Sequence, residues 1–235
     1  MPPTDNDTQR PLPAVRLLIA TSNAHKLGEI ASLLAQAGTA LEQVQVVGAD
    51  LLPPGPPPVE DGGTFEANAV IKAAAFALRA AQLPEPERPH WVLADDSGLC
   101  VEALGGAPGV HSARYAGEAA NDEENNAKLL AAIQNEKNRA AEFVCVLACG
   151  QVPGNPSLPF SPAFTVEGRC GGRIAETPYG GGGFGYDPLF FVPAEGATFA
   201  ELSPQRKNEL SHRGNALRSL STRLIEALRD PPGMA

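Results

Sequence analysis

Residues 15–47 read VRLLIATSNAHKLGEIASLLAQAGTALEQVQVV. Val15 to Thr21 is an apolar run of strand length, broken by one arginine. After the polar "SNAHK" the period changes: Leu27, Ile30 and Leu34 recur at helical spacing, and Gly38 stands where a C-terminal cap belongs. Val44 to Val47 returns to strand character. A strand–helix–strand opening of this kind predicts an α/β fold.

The rest of the chain extends that frame. "LLPPGPPPVEDGG" (51–63) is too dense in proline for regular structure. Thr64 to Ala81 reads as a helix with Phe65, Ala69, Ala73 and Phe76 as its apolar stripe. Trp91 to Ala94 reads as a buried strand that ends on two adjacent carboxylates, Asp95 and Asp96, followed by Ser97 and Gly98. Asp122 to Ile133 is a further helix, and strands follow at 143–148, 163–168 and 188–192. The last helix, Ser211 to Arg229, repeats Leu217, Leu220, Leu224 and Leu228 on one face. The expected architecture is α/β: a mixed twisted sheet in two lobes, flanked by helices, with a central active-site cleft. Residues 14–235 read as one two-lobed domain and the Pro-rich residues 1–13 as a disordered extension.

Composition narrows the function. The chain has 235 residues, 43% hydrophobic and 19% charged, with a formal net charge of −9. Such a balance argues against a basic face that tracks nucleic acid, so an anionic ligand needs a local group of cations. The four cysteines form no C-x-x-C pair and read as free thiols. No stretch reaches membrane-spanning length, and the N-terminus lacks the apolar core of a signal peptide. These features predict a cytoplasmic protein with no membrane partner.

Five segments carry groups suited to chemistry. Thr21, Ser22, Asn23 and Lys26 lie between the first strand and its helix, where α/β sheets present free backbone N–H groups to anions. From this segment alone a plain helix cap with an exposed lysine is the favoured reading. Glu60 precedes the next helix, on which Asn68 and Lys72 stand four residues apart; they read as a metal–phosphate site or as a solvated face opposite the apolar stripe. Asp95 and Asp96 read as a strand-ending turn or as hard oxygen ligands for Mg²⁺, one carboxylate being left to take a proton from water. In "YGGGGFGYDPLFF" (179–191), consecutive glycines suit close backbone approach, Phe184 and Tyr186 flank Gly185 as faces for stacking a base, and Asp187 is held by Pro188. "SPQRKNELSHRGNAL" brings Lys207, His212 and Arg213 near the start of the last helix, where cations oppose the helix dipole unless an anion is present.

Taken in order, "TSNAHK", "LADDSGLCVEALGGAPGVHSARYAG", "GGFGYDPLFF" and "SHRGNAL" resemble the inosine triphosphate pyrophosphatase family, over roughly Leu17 to Leu228. The resemblance implies hydrolysis of deaminated purine nucleoside triphosphates, a Mg²⁺ cofactor, a small-molecule nucleotide substrate and a homodimer. It implies that Thr21 to Lys26 bind triphosphate and that Glu60 and Asp96 hold the metal. Asp96 corresponds to the proton acceptor, with Asp95 in support, and Ser97 to a substrate contact. Phe184, Gly185, Tyr186, Asp187, Lys207, His212 and Arg213 would hold nucleotide. One position departs from the pattern: a Glu usually precedes the helix Asn, but here that position is Ala67 and the acid is Glu66. On this reading the metal and an attacking water lie between Asp95, Asp96 and the phosphates, with Lys26, Lys72 and Lys207 offsetting the triphosphate charge. Two rivals stand beside it: an aspartyl-phosphate phosphatase, which lacks its usual second acid at Ser97, and a non-catalytic nucleotide-binding module.

Overall fold

The computed structural model describes residues 14–21, 27–28, 30–32, 34 and 41–229. The expected N-terminal extension, Ser22, Asn23, Lys26 and Gly38 lie outside the described residues.

Among the described residues seven strands form one mixed sheet in the order β2-β1-β3-β4-β5-β6-β7. They are β1 (Val15–Ile19), β2 (Val44–Val47), β3 (Trp91–Val101), β4 (Ala140–Gln151), β5 (Phe164–Ile174), β6 (Phe190–Val192) and β7 (Ala197–Thr198). β1 runs parallel to β2 and to β3, whereas β3 to β7 are joined antiparallel. Among the described residues the helices with defined bounds are α1 (Phe65–Ala80), α2 (Asp122–Ala132), α3 (Pro204–Leu210) and α4 (His212–Arg229), and residues 27–28, 30–32 and 34 are helical as the sequence predicts. The α/β class and the mixed sheet agree with the sequence expectation; the short α3 and β7 were not anticipated.

Packing explains the layers. On one face, Leu217, Leu220, Leu224 and Leu228 of α4 pack with Leu17, Ile19, Trp91, Leu93, Cys145 and Leu147. On the other, Ala69, Ala73, Phe76, Ala77 and Ala80 of α1 cover Leu18, Val92, Ala94, Val144 and Val146. Alanines on α1 let its backbone lie close to the sheet, while each leucine of α4 contributes about 1.5–3 kcal/mol of apolar burial. A third cluster joins Leu99 and Val101 to Leu129, Ile133, Phe143, Phe190 and Phe199. The long strands thus cross two apolar regions, and residues 95–98 of β3 form the polar stretch between them.

That stretch corrects the expected strand end. β3 continues through both aspartates and Gly98, paired with β4 from Trp91↔Gln151 to Val101↔Ala141. The carboxylates do not stop the strand, because alternation sends neighbouring side chains to opposite faces. Nor is Gly98 a turn former. The Gly109 carbonyl, Ser112 Oγ and the Phe65 ring crowd the place a Cβ would take there, so glycine clears room for the turn at 109–114.

Candidate active site

Two half-sites flank the polar stretch of β3, one on each face of the sheet. On the α1 face, Thr64 caps the helix by accepting the Ala67 N–H at 3.1 Å. One turn on, Asn68 and Lys72 point at the strand. Asn68 Nδ2 donates to Asp96 Oδ2 at 3.3 Å, and Asn68 Oδ1 accepts the Gly62 N–H at 2.8 Å, tying the proline-rich connector to the helix. Lys72 Nζ lies 3.0 Å from Glu60 Oε2 and 3.7 Å from Asp96 Oδ1, and donates to the Asp95 carbonyl at 2.9 Å. Arg114 Nη2 donates to the Glu60 carbonyl at 3.3 Å.

These contacts exclude the solvated face, one of the two readings the sequence left open. Asn68 is buried and the Lys72 side chain is only 12% exposed, so both flank the apolar stripe instead of opposing it. Burial pushes the Asp96 carboxyl up to about 6, against the opposing pull of Lys72 and the Asn68 hydrogen bond. Burial also works against the Lys72 ammonium, yet Asp95, Glu60 and Asp96 together hold its pKa above the usual lysine value. The two shifts differ in balance because Lys72 draws on three acids, whereas Asp96 shares one lysine with Glu60.

On the α4 face, Arg213 Nε stands 3.8 Å from Asp95 Oδ2 and Arg213 Nη2 donates to Ser97 Oγ at 3.0 Å. Ser211 Oγ accepts the Gly214 N–H at 3.1 Å, capping α4. Asp95 therefore supplies the anion that the cationic first turn of α4 calls for, which the sequence reading assigned to a ligand. It also removes the expected single site between the two aspartates, since their side chains diverge to opposite faces of β3.

Beside Ser97 opens a cavity of about 370 Å³, lined among others by Phe143, Phe184, Asp187, Lys207, His212 and Arg213. The His212 ring stacks on Phe143, centroids 4.7 Å apart and planes 12° from parallel. Phe184 is 43% exposed, with Lys207 Nζ 4.7 Å and Arg213 Cζ 5.2 Å from its ring centroid. Asp187 Oδ2 accepts the Phe184 N–H at 2.8 Å and pairs with Lys207 at 2.5 Å. Lys207 thus belongs to this cavity and not to the Lys72 cluster. Tyr186 also lines this cavity, its ring packed in the third apolar cluster and its hydroxyl donating to the Ser112 carbonyl at 2.8 Å. Gly185 lies between these two aromatics in a left-handed conformation with φ 61°.

Of the remaining expected residues, Thr21 follows β1, whose last hydrogen bond runs from Ala20 N to the Leu93 carbonyl at 2.8 Å. That places it beside the end of the apolar part of β3. Glu66 accepts from Thr165 Oγ1 at 2.7 Å and is not part of the Glu60–Asp96 cluster. Sequence reasoning missed Ser112 as a wall of the cavity. Its hydroxyl accepts the Leu99 N–H at 2.8 Å and donates to the Gly109 carbonyl at 2.6 Å, contacts made across sequence distance that no local pattern signals.

Glu60 and Asp96 converge on one lysine, and among the described residues no group of three or more Asp, Glu, His or Cys forms a candidate metal cluster. Two hard carboxylate oxygens fit a cation that takes its other ligands from phosphate and water, as Mg²⁺ does, and do not amount to an all-protein cage.

A sequence profile described as the Ham1 family matches residues 17–223, most of the chain. The chain belongs to the Ham1 family. A dITP/XTP pyrophosphatase of Geobacillus kaustophilus is 48% identical over 206 residues, covering 87% of this chain and 91% of that protein. A dITP/XTP pyrophosphatase of Yersinia pseudotuberculosis is 43% identical, covering 92% and 98%. Among solved structures, a HAM1 protein from Coxiella burnetii superposes with a TM-score of 0.73 at 40% identity, covering 91% of this chain and 100% of that one. The Staphylococcus aureus Ham1 protein gives 0.73 at 38% identity, covering 89% and 97%.

Proposed function

We propose that this protein hydrolyses deaminated purine nucleoside triphosphates (ITP, dITP and XTP) to the monophosphate and pyrophosphate, and so cleanses the nucleotide pool. The observation that carries the reading is the pairing, across one strand, of the Glu60–Asp96–Lys72 cluster with the Phe184–Lys207–Arg213 cavity. The first suits a metal-bound triphosphate and the second a planar base. Relatives named dITP/XTP pyrophosphatase, at 48% and 43% identity, support the same substrate class.

Mg²⁺, held by Glu60 and Asp96, would supply charge stabilisation at the phosphates. Water attacks the α-phosphorus, the bond from that phosphorus to the pyrophosphate oxygen breaks, and the water proton passes to Asp96. Burial favours the protonated form of the Asp96 carboxyl in the metal-free site, which makes it a stronger base than an exposed carboxylate. Lys72 orients Asp96 and Glu60 and faces the triphosphate. Asp95 is buried against Arg213 and holds it, together with Ser97, at the mouth of the cavity. Phe184 stacks on the base, while His212 or Arg213, with nearby backbone N–H groups, meets its 6-keto oxygen. Thr21, Ser22, Asn23 and Lys26 are assigned to the phosphates on the strength of the family resemblance. A homodimer working in the cytoplasm belongs to the same proposal; no described helix is long and apolar enough to cross a membrane.

The deciding experiment is incubation with ITP and Mg²⁺ followed by product analysis. Pyrophosphate and IMP support the proposal. Inorganic phosphate would point to a phosphatase, and unchanged ITP to a binding module.

A further inference from the structure

Helix α2 grips the cavity's aromatic loop through two side chains outside the motifs that carry the family resemblance. Asp122 Oδ2 accepts the Gly185 N–H at 2.6 Å, and Asn126 Nδ2 donates to the Gly185 carbonyl at 2.9 Å. The two residues are four apart and so share one helix face. Together they take both backbone hydrogen-bonding groups of a single residue, the one beside Phe184. Gly185 has φ 61°, a conformation glycine reaches without the penalty a side chain would incur.

The helix that supplies the grip is itself fixed. Asn121 and Glu124 form a capping box at its start, and Leu129 is fully buried beneath it. Asn125 Oδ1 accepts the Ala116 N–H at 2.7 Å and Asn125 Nδ2 donates to the Ala113 carbonyl at 3.2 Å, so the same turns also pin the chain after Ser112. Asp187 orders Phe184 from within the loop, but only Asp122 and Asn126 tie Gly185 to an element outside it in the contacts described.

We propose that Asp122 and Asn126 are positioning residues that hold Phe184 over the base cavity by clamping the Gly185 backbone. The proposal rests on the nucleotide reading given above. Phe184 is partly exposed and meets the Lys207 and Arg213 cations at its ring; an ordered backbone sets where that ring stands before a base arrives. Without the clamp the ordering cost falls on binding. The loss is confined to ligands that carry a base, because the Glu60–Asp96 cluster lies on the other face of β3.

The test compares Asp122→Ala, Asp122→Asn and Glu123→Ala in the full chain. Glu123 shares the first helical turn and its dipole but makes no bond to Gly185 among the described contacts. Inhibition is measured with IMP, which carries a base, and with tripolyphosphate, which does not. For Asp122→Ala the expected result is an IMP inhibition constant raised about tenfold, the effect of losing one hydrogen bond to a charged group, with tripolyphosphate inhibition and kcat little changed. Asp122→Asn keeps an acceptor and restores IMP binding, and Glu123→Ala leaves both inhibitors unaffected. Hydrogen exchange over residues 183–187 rises in Asp122→Ala alone. Equal weakening of both inhibitors, no change in a folded variant, or an Asn variant as impaired as Ala would overturn the clamp. Should Asp122→Ala fail to fold, Asn126→Asp removes the donor at nearly constant shape and is held to the same outcomes. A wild type that leaves ITP intact would overturn the functional reading instead, and hydrogen exchange would still decide the clamp.

Discussion

Asp95 and Asp96 are consecutive in β3 yet answer to different cations: Asp95 Oδ2 lies 3.8 Å from Arg213 Nε, and Asp96 Oδ1 lies 3.7 Å from Lys72 Nζ. The strand's two-residue period separates the like charges onto opposite faces. One carboxylate therefore braces the base cavity and the other builds the phosphate cluster, although Asp95 still acts on Lys72 and Asp96 across the strand.

Asp96→Asn separates activity from stability. Loss of a positioned base lowers turnover by about 10²–10⁴-fold. The folded pKa of Asp96 lies above its ordinary value, so its contribution is fully present below that ordinary value and is lost as pH rises through about 6. At pH 8 the ionised carboxylate is a cost, and Asn relieves about 1–3 kcal/mol of it. Thermal melts of the metal-free protein should show a Tm gain at pH 8 that fades by pH 4. A lowered Tm at pH 8 would contradict the buried-charge account.

Lys72→Met removes the cation shared by Glu60 and Asp96. With its side chain only 12% exposed, the loss should cost about 1–3 kcal/mol at pH 8, less than a fully buried pair. The cost should shrink below pH 5, where Asp96 takes up a proton. Activity falls as well, and denaturant unfolding at the two pH values checks the sign. A pH-independent change in stability would mean that Lys72 acts by packing alone.

Phe184→Ala should scarcely move Tm, since the ring is 43% exposed. Losing the stack is expected to raise KM for ITP by about 10–100-fold, from the ~1–3 kcal/mol that base–aromatic stacking provides. Stacking ignores the base edge, so the preference for ITP over ATP should survive the mutation. In the wild type that preference is expected to reach about 10⁴–10⁵ in kcat/KM, because adenine offers a donor where the site requires an acceptor. Parallel kinetics on both nucleotides measure the two effects separately.

Mg²⁺ should stabilise the folded chain by about 2.7 kcal/mol at a hundredfold excess over its Kd. Glu60→Gln should weaken that gain, and EDTA should abolish hydrolysis. An unchanged Mg²⁺-induced Tm shift in Glu60→Gln would remove Glu60 from the metal site.

Glu66→Ala is expected to leave kcat/KM within about twofold, the span of a surface change away from the chemistry. The carboxylate bonds Thr165 and stands outside the Glu60–Asp96 cluster. A large loss of turnover would place Glu66 in the chemistry after all.

What the sequence determined alone is whatever depends on local periodicity and on short motifs. The buried β1, the stripe of α1, the leucine face of α4 and the capping of α4 by Ser211 were all legible, because each is written within a few turns or residues. The residue types suited to a metal, a phosphate and a base were legible in the same way. Tertiary structure alone decided how those residues are shared out. Only pairing with β4 carries β3 through two carboxylates and a glycine, and only that continuity sends Asp95 to Arg213 and Asp96 to Lys72. Likewise, Tyr186 reads as a stacking face before the third apolar cluster takes most of its ring, and the two readings of Lys72, phosphate site or solvated face, are separated only when the connector brings Glu60 over it. The contacts between Asp122 and Gly185, 63 residues apart, have no local signature. Short-range energies act between sequence neighbours and leave a pattern there, whereas a charge pair or clamp closed by folding depends on distances that no stretch of chain contains.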